Sequence, residues 1–317
     1  MDIVICFDHG FVMPSGVMMY SVCANNQEMD ITFHVVTDDS VTQKDKDDLT
    51  DNIKVFERHV NIMFYTVKKK NDKLPSTGNR HGLTYATYYR LFLTDILPKD
   101  IDKILYLDGD MIVRHSLLSL WNTDLTGYAV AAVNDSLHTD IHYDARLGYP
   151  SDKGYFNAGV LLINLGYWRE HNISQQLTDF MESHHDVLTF HDQDILNGVF
   201  WNQKVSLPIK YNLVSGYLYK QFSLEKRKDQ QEIIDARKDP VIVHFAANFK
   251  PWESYIRFPH PFNSTFYYYQ DLTKWKNHRV DNRSLILKTK NYITDYLRRI
   301  KVLPPLNSYY IDVKPVV

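Results

Sequence analysis

The chain has 317 residues, of which 44% are hydrophobic and 23% are charged, and its formal net charge at pH 7 is −2. These values are typical of a folded protein and exclude collagen-like or largely disordered structure. The apolar runs, such as Ala158 to Leu165, are far shorter than the roughly 20 residues that a membrane-spanning helix requires. The nearly balanced charge gives no indication of a nucleic-acid partner.

Two features of the sequence bear on its compartment. Its two cysteines, Cys6 and Cys23, argue against a disulfide scaffold and favour a reducing environment. The first residues lack the basic region, apolar core and small-residue cleavage site of a secretory signal. We therefore expect a cytoplasmic protein.

Strands and helices are predicted to alternate along most of the chain. Apolar runs predict strands at 3–7, 31–36, 60–67, 104–107, 128–133, 156–164 and 241–245. Apolar residues at helical spacing predict helices near 15–25, 42–56, 84–95, 168–183 and 192–199. This alternation predicts one α/β domain over residues 1–270 with a Rossmann-like, mainly parallel sheet. Residues 68–82 are predicted to form a loop and are a candidate lid.

Residues 271–317 form a segment of different character. Between positions 273 and 301 there are nine basic and two acidic residues, which leaves 27 basic and 36 acidic residues for the rest of the chain. Ile293, Tyr296, Leu297 and Ile300 would share one face of a helix. A basic amphipathic helix is typical of a protein that lies on an anionic membrane surface, and equally of an ordinary surface helix. The sequence leaves both interpretations open.

The chain contains four Asp-x-Asp pairs, and their context distinguishes them. Those beginning at Asp45 and Asp100 lie among polar residues and predict solvated surface. Asp108-Gly109-Asp110 instead follows the apolar strand 104–107, and ligands of α/β proteins bind beyond the carboxyl ends of strands. Residues at i and i+2 of an extended segment point to the same side, so both carboxylates can face one cation. The positive charge that balances them would come from a divalent metal that bridges a diphosphate, or alternatively from a helix N-terminus or from Arg114.

Five blocks of sequence resemble glycosyltransferase family 8. They are Leu105-Tyr106-Leu107-Asp108-Gly109-Asp110, the run from Tyr155 to Asn164, Asp192-Gln193-Asp194-Ile195-Leu196-Asn197, His244-Phe245 and Lys250-Pro251-Trp252. Their order over residues 2–252 is more specific than any single block, and the similarity is greatest to bacterial lipopolysaccharide galactosyl- and glucosyltransferases. The resemblance implies a GT-A fold with a single nucleotide-sugar-binding domain. It also implies transfer of galactose or glucose from a UDP-hexose to a saccharide or lipopolysaccharide-core acceptor, with retention of configuration.

The resemblance further implies roles for individual residues. The metal ligands correspond to Asp108, Asp110 and His244, and this donor set suits Mn²⁺, with Mg²⁺ as a second possibility. The nucleotide-binding residues correspond to Asp8 beside the uracil, Lys250 on the diphosphate, and the same two aspartates. The positions that hold the donor sugar correspond to Arg90, Asp135, Asn157, Asp192 and Gln193. Asp192 and Gln193 are the catalytic candidates among them.

The chain departs from the family pattern at several of these positions. Ala247 stands where glycine is frequent beside the phosphates, and Gly10 stands where related enzymes can carry a polar side chain toward the ribose. Phe11 and Phe190 lie near positions that line the acceptor pocket, so the acceptor cannot be inferred from the family. His81, in the predicted loop, corresponds to a position near the acceptor.

The residues alone also leave two other functions open. A nucleotidyltransferase that makes UDP-sugars would need a glycine-rich phosphate loop, which the run from Asp8 to Phe11 is not. A non-catalytic carbohydrate-binding protein would use the 14% of aromatic residues as stacking surfaces. For a transferase we favour attack on the same face from which UDP leaves, because the amide of Gln193 is a poor nucleophile. The basic segment would attach such an enzyme peripherally to the inner face of the cytoplasmic membrane.

Overall fold

The structure is a computed structural model that describes residues 1–67, 85–136, 142–219, 224, 227–246, 250–253, 260–281 and 283–304. The whole of the predicted loop 68–82 with His81, the first residue of the helix predicted at 84, and Ala247 lie outside these residues. None of the helices within the described ranges combines the length and the apolar character needed to cross a bilayer.

The described residues form ten strands and eleven α-helices. The strands are β1 (Asp2–Cys6), β2 (Ile31–Thr37), β3 (Val60–Thr66), β4 (Lys103–Leu107), β5 (Met111–Val113), β6 (Val130–Asn134), β7 (Phe156–Asn164), β8 (Lys204–Ser206), β9 (Leu213–Val214) and β10 (Ile242–His244). The helices are α1 (Val12–Ala24), α2 (Gln43–Ile53), α3 (Leu93–Ile96), α4 (Leu118–Trp121), α5 (Tyr143–Leu147), α6 (Leu165–Glu170), α7 (Ile173–Ser183), α8 (His191–Phe200), α9 (Gln230–Lys238), α10 (Asn263–Asp271) and α11 (Leu285–Arg299).

Seven strands form the main sheet, in the order β3-β2-β1-β4-β7-β6-β8. Strand β7 runs antiparallel to both of its neighbours, whereas the remaining pairs are parallel. The prediction of a mainly parallel sheet is therefore confirmed. The strand order reverses between β1 and β4, and ligands of such sheets bind in the crevice at this point, beyond the carboxyl ends of the strands.

A second, three-stranded sheet has the order β5-β10-β9. Strand β10 runs antiparallel to β5, with His244 opposite Met111, and parallel to β9. The late strand predicted at 241–245 is thus present, but it pairs outside the main sheet. This pairing brings the end of β10 next to the residues that follow β4.

The main sheet has an apolar core on each face. Ile3 and Ile5 belong to a buried cluster that includes α1, whereas Val4 and Cys6 belong to a second cluster on the other face. Successive side chains of a strand point to opposite faces, so burial on both sides explains why β1 is a continuous apolar run.

Two predicted helices differ from those observed, and a third begins where it was predicted. The helix predicted near 84–95 is a 3₁₀ helix at Tyr85–Phe92 followed by the short α3. The helix predicted at 168–183 is divided into α6 and α7, because Asn172 adopts a left-handed backbone conformation with φ of 50°. The helix predicted at 42–56 begins as expected after Thr42, whose hydroxyl accepts a hydrogen bond from the Asp45 amide. Asp45 is buried as part of this capping box, so its prediction as solvated surface was wrong.

The segment after residue 270 begins packed against the α/β body. Gly16 on α1 lies so close to Trp275 that an added Cβ would stand 2.3 Å from Trp275 Cζ3, and Lys274 pairs with Asp48 on α2. Helix α11 has a different environment, because its apolar residues Ile286 and Tyr292 are 82% and 77% exposed. We propose that the boundary near residue 271 marks a change in surface composition and that the packing against the α/β body continues across it.

Candidate active site

Two carboxylates and one imidazole converge at the carboxyl end of β4. Asp108 and Asp110 are the first and last residues of the short connection between β4 and β5, and His244 ends β10. One ligand atom from each of these three residues lies within 4.8 Å of those from the other two. His244 Nε2 is 3.2 Å from Asp110 Oδ1 and 3.8 Å from Asp108 Oδ2. The three predicted metal ligands therefore lie together, although His244 is far along the chain from the aspartates.

Two glycines allow this close approach. A Cβ on Gly159 would lie 2.4 Å from His244 Cε1 and 2.9 Å from Asp108 Oδ2. A Cβ on Gly109 would lie 2.2 Å from the hydroxyl oxygen of Ser15 on α1. At Gly159 the neighbours are groups of the site itself, so glycine is required there for steric reasons. At Gly109 a side chain would force the Ser15 hydroxyl to move.

Lys250 lies beside the cluster. Its Nζ is 2.6 Å from Asp110 Oδ2 and donates a second hydrogen bond to the carbonyl of Phe245. Burial by itself would raise the pKa of Asp110, but the Lys250 ammonium and the His244 ring lower that pKa well below its ordinary value. Asp110 is therefore held as a carboxylate.

Arg90 joins the metal-ligand candidates to α8. Its guanidinium is 2.8 Å from Asp108 Oδ1 and 3.1 Å from Asp192 Oδ2, and it donates to the carbonyl of Ala158. Burial and the nearby Asp108 raise the pKa of Asp192 to about 6, although Arg90 acts in the opposite direction. The buried Arg90 guanidinium thus forms ion pairs with two carboxylates, those of Asp108 and Asp192.

A second cluster contains the other residues predicted to hold the donor sugar. Asn157 Nδ2 donates to Asp135 Oδ2 at 2.9 Å and to Gln193 Oε1 at 3.1 Å. Gln193 Oε1 also accepts the backbone N–H of Ala158 at 3.0 Å. Asp135 follows β6, Asn157 lies in β7 and Gln193 lies in the first turn of α8, so three elements contribute to one polar group.

Asp8 occupies a different part of the crevice. It follows β1, the strand adjacent to β4, and its side chain accepts a hydrogen bond from the Gly10 amide. That bond caps the short turn His9–Phe11, and Asp8 remains half-buried at the mouth of the crevice.

The charges around the crevice favour a divalent cation. Among the residues that the structure describes in these two clusters, Asp108, Asp110, Asp135 and Asp192 supply four carboxylates, against the two cations Arg90 and Lys250. An anionic diphosphate would be repelled from this group unless additional positive charge were present. Two carboxylates with one imidazole form a mixed oxygen and nitrogen donor set that suits Mn²⁺ and also admits Mg²⁺. These residues therefore fit the implied metal.

The structure adds contacting residues that the sequence did not identify. The hydroxyl of Tyr106 donates to Asp108 Oδ1 at 2.8 Å, and Asn212 Oδ1 lies 2.9 Å from His244 Nδ1. Tyr106 belongs to the apolar run of β4, and Asn212 lies just before β9. Neither position has a local signal, because a strand tyrosine and a loop asparagine most often have structural roles.

The fold and the site together define an α/β protein with a candidate metal centre at the reversal point of its sheet. Residues 2–255 match the family model for Glycosyl transferase family 8, and the chain belongs to that family. The resemblance inferred from the five blocks is thereby confirmed.

Similar proteins support this assignment. The chain is 28% identical to General stress protein A of Bacillus subtilis, covering 87% of this chain and 94% of that protein. It is 32% identical to the lipopolysaccharide 1,3-galactosyltransferase of Salmonella typhimurium, covering 80% and 73% respectively. The crystal structure of the galactosyltransferase LgtC in complex with donor and acceptor sugar analogs superposes with a TM-score of 0.76 at 27% identity, covering 92% of this chain and all of that one. The fold is accordingly GT-A-like, as predicted.

Proposed function

We propose that this protein is a retaining hexosyltransferase that uses a UDP-sugar and a divalent metal, Mn²⁺ or alternatively Mg²⁺. The hexose would be galactose or glucose, and the acceptor a saccharide such as the core of lipopolysaccharide or another surface glycan. The relatives that act on lipopolysaccharide support this acceptor class. The observation that carries the proposal is the convergence of Asp108, Asp110 and His244.

In this proposal different charged residues bind different parts of the nucleotide. Asp108, Asp110 and His244 would hold the divalent cation, which would supply positive charge to stabilise the diphosphate of the leaving UDP. The Lys250 ammonium, which pairs with Asp110 in this structure, would pair with the diphosphate instead and so stabilise the negative charge that develops on it. Asp8 would accept the N–H of the uracil at the end of β1.

The donor sugar would lie between Arg90, Asp135, Asn157, Asp192 and Gln193. These side chains offer both hydrogen-bond donors and acceptors, which recognition of sugar hydroxyls requires. The oxygen of Gln193 already accepts hydrogen bonds from Asn157 and from the Ala158 amide. Because these bonds occupy its lone pairs, Gln193 is a poor candidate for a covalent nucleophile. We therefore propose attack on the face from which UDP departs, with the leaving diphosphate taking the proton of the acceptor hydroxyl.

Replacing Asp108 with asparagine tests the metal assignment. The amide keeps one oxygen to accept from Arg90 and Tyr106, but it replaces a negatively charged ligand oxygen with an NH₂ group. We expect Asp108→Asn to fold and to lose metal-dependent UDP-hexose turnover by about 10³-fold, equivalent to roughly 4 kcal/mol of transition-state stabilisation. The assay measures UDP release from UDP-galactose and UDP-glucose with Mn²⁺, with and without saccharide acceptors.

Asp100→Asn is the matched control, because Asp100 belongs to an exposed Asp-x-Asp pair. Near-normal turnover by Asp108→Asn would contradict the metal assignment. Release of pyrophosphate from UTP and a sugar phosphate would instead favour the nucleotidyltransferase alternative.

We also propose that α11 attaches the protein peripherally to the inner face of the cytoplasmic membrane. Ile286, Tyr292 and Ile293 are 82%, 77% and 51% exposed, and so many exposed apolar side chains on one helix are unusual on a surface in water. Positive charge on and next to the helix complements anionic lipid headgroups. The basic residues on or next to this helix are Lys288, Lys290, Arg298, Arg299 and Lys301.

Changing Ile286 and Ile293 together to serine tests this attachment without altering charge. We expect at least a 10-fold loss of co-sedimentation with vesicles that contain phosphatidylglycerol, because two inserted side chains each contribute roughly 1.5–3 kcal/mol when fully buried. Val55→Ser is the control, because Val55 is a similarly exposed apolar residue on the body of the protein. Unchanged sedimentation of the Ile286→Ser, Ile293→Ser variant would show that α11 is an ordinary surface helix.

A further inference from the structure

A buried asparagine connects the two polar clusters of the site. Asn212, which is 1% exposed, lies between His244 and Asn157. Its Oδ1 is 2.9 Å from His244 Nδ1, and its Nδ2 is 2.8 Å from Asn157 Oδ1. Asn157 in turn donates to Gln193 and Asp135. A continuous chain of hydrogen bonds therefore runs from a candidate metal ligand to the proposed sugar pocket.

The direction of every bond in this chain follows from one backbone group. The backbone N–H of Gly159 can only donate a hydrogen bond, and it donates to Asn157 Oδ1 at 3.0 Å. Asn157 Oδ1, which also faces Asn212, is thus an acceptor. Asn212 must therefore direct its NH₂ group toward Asn157 Oδ1. The remaining oxygen of Asn212 faces His244, and His244 must carry a hydrogen on Nδ1 to bond with it.

This arrangement fixes which ring nitrogen can bind a metal. With its hydrogen on Nδ1, the neutral imidazole has its lone pair on Nε2, the atom that faces Asp108 and Asp110. A hydrogen-bond acceptor behind a histidine ligand orients the ring and strengthens the ligand atom. Asn212 supplies that acceptor through Oδ1, and its Nδ2 donates to Asn157 in the proposed sugar pocket.

We propose that Asn212 is a positioning residue with two separable tasks. Through Oδ1 it holds His244 in the tautomer and orientation that bind the metal, and through Nδ2 it holds Asn157 in place for the donor sugar. This inference rests on the proposed metal-dependent function and assigns to Asn212 a role in both halves of the site.

Two substitutions at Asn212 separate the tasks. Asn212→Ala removes both hydrogen bonds, so metal binding and sugar binding should both weaken. Asn212→Asp keeps an oxygen that accepts from His244 Nδ1 but places a second oxygen against Asn157 Oδ1. Asn157 Oδ1 then keeps the donor from the Gly159 amide, but it loses the donor from residue 212 and is repelled by the new oxygen. Asn212→Asp should therefore keep the metal and lose the fixed position of Asn157.

The first measurement is the Mn²⁺ affinity of the full chain without donor, from the electron paramagnetic resonance signal of free Mn²⁺. We expect Asn212→Ala to bind Mn²⁺ about 10- to 100-fold more weakly than the wild type, the usual effect of losing such a partner. Asn212→Asp should bind it at least as tightly as the wild type. The second measurement is the affinity for UDP-glucose and UDP-galactose relative to UDP in the presence of Mn²⁺, and this ratio should fall in both variants.

Asn26→Ala is the matched control, because Asn26 is another buried asparagine with hydrogen bonds to the backbone, located between α1 and α4. It should lower thermal stability without changing Mn²⁺ affinity. Wild-type Mn²⁺ affinity in Asn212→Ala, or equal loss in both Asn212 variants, would overturn the role of Asn212 and leave the proposed function standing. Failure of the wild type itself to bind Mn²⁺ would overturn the metal-dependent function, and this inference with it.

Discussion

Replacing Gly159 with alanine is expected to weaken metal binding strongly and to lower metal-dependent transfer with it. The new methyl group would lie 2.4 Å from His244 Cε1, 2.8 Å from Met111 Cε and 2.9 Å from Asp108 Oδ2. None of these distances is compatible with van der Waals contact, so His244 and Asp108 must move apart. Overpacking of this kind costs about 1–3 kcal/mol of stability, and the displaced ligands should weaken Mn²⁺ binding by more than 10-fold.

Gly166→Ala provides the control for this prediction. A Cβ at Gly166 would make ordinary contact with Asn164 Oδ1 at 3.5 Å, and the residue lies in α6 away from the site. This variant should keep the Mn²⁺ affinity of the wild type and its stability. Wild-type Mn²⁺ affinity in Gly159→Ala would show that the ligands do not need the close packing seen here.

Replacing Arg90 with methionine is expected to cause the largest loss of stability. The substitution leaves Asp108 and Asp192 without the cation that pairs with both, and removing one partner of a buried ion pair costs about 3–5 kcal/mol. The loss should appear as a lower midpoint in guanidinium unfolding. Arg90→Met combined with Asp192→Asn should recover part of it, because the second change removes one of the unpaired carboxylates.

The same variant should show a characteristic pH dependence. The pKa of Asp192 is raised to about 6 in the folded wild type, above its unfolded value, so ionisation of Asp192 lowers stability as pH rises through this range. Loss of Arg90 should raise that pKa further, because Arg90 is the group that opposes the shift. The stability difference between Arg90→Met and the wild type should therefore be smaller at pH 5 than at pH 8.

Lys44→Met is the control for Arg90→Met. Lys44 forms an ion pair of similar length with Asp48, but its side chain is exposed, and exposed pairs contribute little to stability. A small effect of Arg90→Met, comparable to that of Lys44→Met, would contradict the importance assigned to burial.

Local patterns were sufficient to predict the fold class and part of the site. Apolar runs identified six of the seven strands of the main sheet, because burial on both faces of its central strands demands apolar side chains. The short, partly exposed edge strand β8 was not predicted. The start of the helix near Thr42 was predicted from helical spacing, whereas the part of Asp45 in its capping box was not. Asp108 and Asp110 were predictable as a pair because they follow a strand directly and lie two residues apart.

The rest of the site required the folded chain. His244 reaches the aspartates because β10 pairs with β5 in a second sheet, and no periodicity in the sequence indicates which strands will pair. Arg90 reaches Asp108 and Asp192 from a 3₁₀ helix where a regular α-helix was predicted. Asn212 shows no signal at all along the chain, because its importance lies entirely in the two groups that it contacts.

The residues alone therefore specified the α/β class, the acidic pair and, through ordered blocks, the family. The convergence of ligands, the direction of the hydrogen bonds behind them and the exposure of α11 emerged from three-dimensional packing. The physical reason is one of range. Propensity, capping and alternation act between residues a few positions apart, whereas a metal site is assembled from side chains that are close in space and distant along the chain.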